Sequence, residues 1–265
     1  MEYRYFKKNM IKKLIYLSLL ALVFSGCSTE FNLATGKEES LMYGTDKEVA
    51  IGDKIAAQIE KQFGLVDDVD MNEKARRALK RLAAVSDRKD IVFVVRILDD
   101  DTVNAVSLPG GYIYIFRGLA EKLDTEENFA AVIAHEVGHI TARHSIKRIQ
   151  ASYAQLLLQG AAIASQDPNL AYGANAIFGV AFIQYSQQDE FEADRLGVKY
   201  MKKAGYNPEA MINVLEILQK EERKSGIQPK SYFRTHPYIP QRIAMIRKEI
   251  NGYLEFRDYL NVPDK

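Results

Sequence analysis

The sequence predicts an α+β fold, mostly helical with one small β-sheet, on three observations. Several runs carry apolar residues at helical spacing between recognisable caps and stops, and β-branched residues concentrate between residues 91 and 116. At 265 residues with 47% apolar content, the chain can bury a sizeable core.

The N-terminus reads as a targeting segment. Arg4, Lys7, Lys8, Lys12 and Lys13 precede an apolar run of 11 residues from Leu14 to Phe24, followed by Ser25-Gly26-Cys27. That run suits the core of a signal peptide and falls well short of the roughly 20 residues needed to span a bilayer. Removing residues 1–26 leaves 31 cations against 34 anions, so the formal charge passes from +1 to −3. No basic tail or stripe follows, which leaves nucleic-acid binding without support. Cys27 is the only cysteine, so an intramolecular disulfide and a thiolate metal cluster are both excluded. Ser25-Gly26-Cys27 resembles the bacterial lipobox, which implies a lipid on Cys27 and membrane anchoring in a bacterial cell envelope. Ser28 in place of Asp resembles outer-membrane sorting, on the periplasmic face, for a Gram-negative source.

Residues 27–44 lack periodicity and read as a tether, leaving residues 45–265 as the globular domain. Thr45 with Glu48 fits a capping box, and Ile51, Ile55, Ile59 and Phe63 recur every four residues before Gly64. A second helix is expected over residues 72–84, with Ala75, Leu79, Leu82 and Ala83 on one side. Residues 91–98 read as a buried strand ending in the solvated turn Asp99-Asp100-Asp101. Strands at residues 103–107 and 112–116 flank Pro109-Gly110-Gly111. Asp124 with Glu127 fits another capping box, opening a helix through Phe129, Val132 and Ile133. The apolar stretch from Leu156 to Tyr185 is broken by Gln155, Gln159, Gln166, Asp167 and Pro168 into runs too short to span a membrane, so core or groove-lining helices are expected. Further helices are expected from Glu190 to Ala204, after Asn207-Pro208, and from Pro240 with Ile239, Ile243, Ile246 and Ile250 in register.

The chemistry concentrates in His135-Glu136-Val137-Gly138-His139. Residues four apart on a helix differ by about 40° in direction, so both histidines can aim a nitrogen at one ion. Glu136 can face the same space and take a proton from a metal-bound water without being a ligand. Two neutral imidazoles and one carboxylate suit zinc and leave a fourth position for water. Glu190 and Asp194, four apart on a second helix, offer that carboxylate: one can bind metal while the other fixes a histidine. Glu192 points away from that pair. His144 is nine positions from His135, roughly 180° around a continuous helix, and reads as structural. His236 and Arg242, near the start of the last helix, are candidates to steady an oxyanion, an interaction worth a few kcal/mol.

In order, the chain carries Asn104-Ala105, Leu108-Pro109-Gly110-Gly111-Tyr112-Ile113, the HEVGH helix ending Ala142-Arg143-His144, Glu190-Phe191-Glu192-Ala193-Asp194 and Thr235-His236-Pro237. Over residues 33–250 this resembles the M48 zinc metallopeptidases, the Ste24/HtpX/Oma1-like gluzincins, and their bacterial lipoprotein branch in particular. The metzincin pattern fails at Ala142 and Ser145. The resemblance implies a gluzincin-type domain with its sheet beside the HExxH helix, and one zinc ion per chain on His135, His139 and Glu190. It further implies Glu136 as catalytic base, Asp194 fixing a ligand, and Asn104-Ala105 on an edge strand that pairs with an extended substrate. In family members a loop histidine can also occupy the metal, a second role for His236. Gln187 departs from the arginine usual after Ser186, which touches a local salt bridge rather than the metal site. The activity so implied is zinc-dependent endopeptidase action on polypeptides, misfolded envelope proteins among them, in envelope quality control. A chaperone-like binding module that keeps the fold without turnover is the alternative. The sequence names no adaptor and no oligomeric partner.

Overall fold

The computed structural model describes residues 28–152, 184–224, 232, 235–254 and 258. Cys27, the segment before it and almost all of the apolar stretch 156–185 lie outside the described residues. Strands β1 (Ser28–Asn32) and β2 (Lys37–Leu41) form an antiparallel hairpin, with Ser28 opposite Leu41 and Asn32 opposite Lys37. This hairpin stands where a tether was expected. One of the two residues β2 buries is a glutamate, Glu39, whose carboxylate meets Lys147 Nζ at 2.6 Å. An apolar-polar period is therefore absent from the strand.

Helix α1 (Thr45–Phe63) buries Ile55 and Ile59 and stops at Gly64. Its expected capping box is absent: Gly44 occupies the N-cap, and Thr45 Oγ1 donates to Asp90 at 2.6 Å. Glu48 turns inward to a buried bidentate pair with Arg88, at 2.6 and 2.8 Å, a geometry that makes such pairs strong. Helix α2 (Val69–Val85) begins earlier than expected because Asp68 caps it, accepting from the Met71 N–H, and it buries Ala75, Ala78, Leu79 and Leu82.

The strands β3 (Val94–Leu98), β4 (Ala105–Ser107) and β5 (Tyr112–Phe116) form a sheet in the order β3-β5-β4. β3 runs parallel to β5 and β4 antiparallel to it. β3 and β4 start at Val94 and Ala105, later than the β-branched run suggests. Between β4 and β5, Pro109–Gly111 makes a tight turn in which Gly110 takes φ 78°, a conformation open to glycine. Arg117 pairs with Asp99 and Asp101, so the aspartate turn is tied to the turn after β5.

Helix α3 (Glu126–Thr141) carries His135 and His139. Its cap is Thr125, which accepts from the Asn128 N–H at 3.2 Å, one residue after the expected Asp124. α4 (Gln187–Ala204) opens on a capping box between Ser186 and Asp189 and ends at left-handed Gly205. α5 (Glu209–Lys224) and α6 (Ile239–Asn251) follow. Helices α2 to α6 share one core with the inner faces of the sheet. α3 and α4 approach closely: a Cβ on Gly138 would lie 2.5 Å from the Ala193 carbonyl oxygen. Glycine in the HEVGH segment thus lets two backbones touch and brings Glu190 beside the histidines. Among the described residues, no helix is long and apolar enough to cross a membrane.

Candidate metal centre

Two helices and one loop build the site. α3 presents His135, Glu136 and His139, α4 presents Glu190 and Asp194, and the turn before α6 presents His236; all six are buried. His135, His139, Glu190 and His236 each offer one ligand atom, and these atoms lie within 4.8 Å of one another. The His135 and His139 Nε2 atoms are 3.1 Å apart, and His236 Nδ1 is 3.3 Å from His135 Nε2 and 3.0 Å from Glu190 Oε1. Such a group could hold a metal ion.

The surrounding charges suit that use. Burial pushes His139 well below its ordinary value, leaving a neutral ring as a ligand requires. Burial alone would raise the Glu190 carboxyl, but Arg242 and His236 outweigh it and hold it well below the usual carboxylate range. Burial likewise opposes ionisation of Asp194, and Arg242 and His135 overcome it. Asp194 Oδ1 lies 2.8 Å from His135 Nδ1, the ring nitrogen that faces away from the cluster. Glu136 is fully buried, yet neither of its oxygens has a hydrogen-bond partner among the described residues. Buried oxygens left this way are costly, and such sites call for a missing ion or water. A cavity of about 20 Å³ borders His135 and Glu136, room for one water molecule.

The other candidates are placed less centrally. Arg242 donates through Nε and Nη2 to Asp194 at 2.7 and 2.8 Å, and its Nη1 lies 2.8 Å from Glu190 Oε2. Its charge is thus committed to Asp194 and Glu190. Asn104 precedes β4 and Ala105 opens it, outside the ligand cluster; Asn104 Oδ1 accepts from Thr235 Oγ1 at 3.2 Å, next to His236.

Residues 70–250 match the profile of peptidase family M48. The chain belongs to peptidase family M48. M48 members are metal-dependent peptidases, which gives the His/Glu cluster its context. The beta-barrel assembly-enhancing protease of Escherichia coli (strain K12) is 28% identical over 263 residues, covering 94% of this chain and 53% of its own. The mitochondrial metalloendopeptidase OMA1 of Schizosaccharomyces pombe is 33% identical over 175 residues, covering 65% of this chain and 51% of its own. OMA1 of Arabidopsis thaliana is 30% identical over 222 residues, at 83% and 44%. The chain spans about half the length of these curated M48 relatives.

Sequence reasoning missed three neighbours of the cluster. Tyr185 stacks on His139 with ring centroids 3.8 Å apart, and Tyr232 stacks on His236 at 4.9 Å while its hydroxyl accepts from Arg242. His144, expected across the helix from the site, is instead in contact with it. The helix ends at Thr141, Arg143 takes φ 58°, and His144 Nδ1 returns to within 2.9 Å of His139 Nδ1. Only aromatic periodicity could have flagged the tyrosines, and nothing local flags a non-glycine residue at positive φ.

Proposed function

We propose that the chain is a zinc metalloendopeptidase of the bacterial cell envelope, acting on polypeptides, and that His236 holds its site closed. The observation that carries this reading is the spacing of the four ligand atoms around a cavity that Glu136 faces. A tetrahedral zinc site with bonds of about 2.0–2.1 Å has ligand-to-ligand edges of about 3.3–3.4 Å. The separations of 3.1, 3.3 and 3.0 Å quoted above, with 3.4 Å from His139 Nε2 to Glu190 Oε1, come close to that figure.

His135, His139 and Glu190 would hold the ion, with His236 as a fourth and removable partner. When bound, zinc supplies Lewis acidity, polarising the scissile carbonyl and bringing a water's pKa down to about 7. Glu136 then accepts the proton of the attacking water and passes it to the leaving nitrogen. Asp194 fixes the His135 ring, and Arg242 fixes Asp194 and Glu190. β4, beginning at Ala105 after Asn104, offers an edge for an extended peptide. His236 is fully buried among the ligands, and a substrate carbonyl needs the corner it fills. Once displaced, the same imidazole is placed to donate to the oxyanion.

The test is zinc stoichiometry paired with casein digestion. One zinc per chain is expected, with cleavage lost on chelation, restored by Zn²⁺, and zinc lost in His139→Ala and Glu190→Ala. Stoichiometric zinc kept in both variants would overturn the ligand set. The envelope location rests on the similarity to an Escherichia coli beta-barrel assembly-enhancing protease and on Ser25-Gly26-Cys27 after an 11-residue apolar run. Cleavage before a lipidated Cys27 is expected in the intact mass of membrane-fraction protein. A Cys27→Ser protein processed and retained on membranes like the wild type would contradict it.

A further inference from the structure

We infer that His144 is a positioning residue for the metal: its Nδ1 accepts the Nδ1–H of His139 and so fixes the tautomer that turns the His139 Nε2 lone pair to the ion. The inference rests on the zinc reading above and extends it to a residue with no ligand role. His139 Nδ1 and His144 Nδ1 are 2.9 Å apart, both side chains are buried, and two nitrogens at that distance require one donor and one acceptor.

The partners at either end decide which is which. His139 Nε2 faces His135 Nε2 at 3.1 Å and Glu190 Oε1 at 3.4 Å, inside the ligand cluster. A ring that binds metal through Nε2 carries its proton on Nδ1, so His144 Nδ1 must accept. With its Nδ1 accepting, His144 carries its own proton on Nε2. That nitrogen meets Glu192 Oε2 at 3.3 Å and Asp189 Oδ1 at 3.4 Å, two carboxylates that accept. The reverse assignment aims the His139 Nε2–H into the ion's place and sets a His144 lone pair against two anions. Only one chain of donors satisfies every atom, running from His139 through His144 to Glu192. The Tyr185 ring stacked at 3.8 Å holds the His139 plane in the same orientation.

This arrangement repeats, with a different acceptor, what Asp194 does for His135. The two ligating imidazoles of α3 are each gripped at the nitrogen facing away from the ion, as metal-bound histidines usually are. His144 reaches its position because Arg143 adopts φ 58°, and the Arg143 side chain is held by Glu30 of β1 at 2.5 Å. Glu192 in turn meets Lys37 Nζ of β2 at 3.3 Å. The outer end of the relay is therefore fastened to the N-terminal hairpin.

Zinc affinity of the full chain, read by competition with a chromophoric chelator using Zn²⁺ alone, tests the inference. His144→Ala is expected to weaken binding about 10- to 100-fold, the usual effect of losing such a partner. His144→Asn places an amide oxygen where Nδ1 was and should recover most of that loss. Unchanged affinity in the alanine variant overturns the inference, and so does equal loss in both variants, which would mean that His144 only fills space. Ring ¹⁵N spectra of the zinc-loaded wild type decide the matter even where a variant fails to fold. His139 should appear as the Nδ1–H tautomer and His144 as Nε2–H; His144 protonated on Nδ1 overturns the assignment. A wild type that takes up no zinc sinks the metal reading along with this one, whereas the other adverse results sink this one alone.

Discussion

Glu136→Gln is expected to lower casein hydrolysis by about 10²- to 10⁴-fold, the range lost with a general base, while zinc stays at one per chain. The substitution keeps the shape of the side chain and removes only its basicity. Neither Glu136 oxygen has a hydrogen-bond partner among the described residues, so an amide breaks no hydrogen bond described there. Steady-state rates paired with metal analysis would check this. A variant that cleaves as fast as the wild type would assign the base elsewhere. A chain acting only as a holding chaperone would suppress aggregation equally well with either residue.

His236→Ala is expected to act in the opposite direction, raising basal proteolysis by about tenfold or more at saturating zinc. His236 Nδ1 lies 3.0 Å from Glu190 Oε1 and 3.3 Å from His135 Nε2, inside the space a substrate carbonyl needs. When the competent state is a minor fraction of the ensemble, removing the group that closes the site raises apparent activity by up to the reciprocal of that fraction. Initial rates on casein, with zinc content measured in parallel, would check it. A fall by a few powers of ten with zinc still bound would mean that oxyanion stabilisation dominates instead.

Much of the candidate metal centre is legible because its logic is local. His135, Glu136 and His139 share one helix, Glu190 and Asp194 share another, and the period of a helix sets how each group faces. The same holds for Gly205 and for the Ile239, Ile243 and Ile246 stripe of α6. What stayed hidden depends on partners far along the chain. Thr45 and Glu48 match a capping box, but Arg88, 40 residues on, draws Glu48 into the interior. The hairpin at residues 28–41 shows no strand period because buried Glu39 is matched by Lys147, 108 residues away. His144 falls across the helix from the site only if the helix continues past Thr141. Arg143 is a good helix former, and nothing in its neighbours announces the left-handed turn that Glu30 helps to hold.

Were Cys27 lipidated, the hairpin would also set how far the domain can range. β1 begins at Ser28, directly after Cys27, and its five residues span roughly 17 Å at the usual rise of a strand. At its far end, Asn32 Nδ2 donates to the Thr141 carbonyl at the close of α3. With a lipid on Cys27, no slack cord of 18 residues would separate the bilayer from the peptidase. The domain would stand at a nearly constant height, with the end of its histidine helix one short strand from the anchor. Polypeptides emerging close to the membrane would lie within its working radius, and those deeper in the compartment would have to come to it.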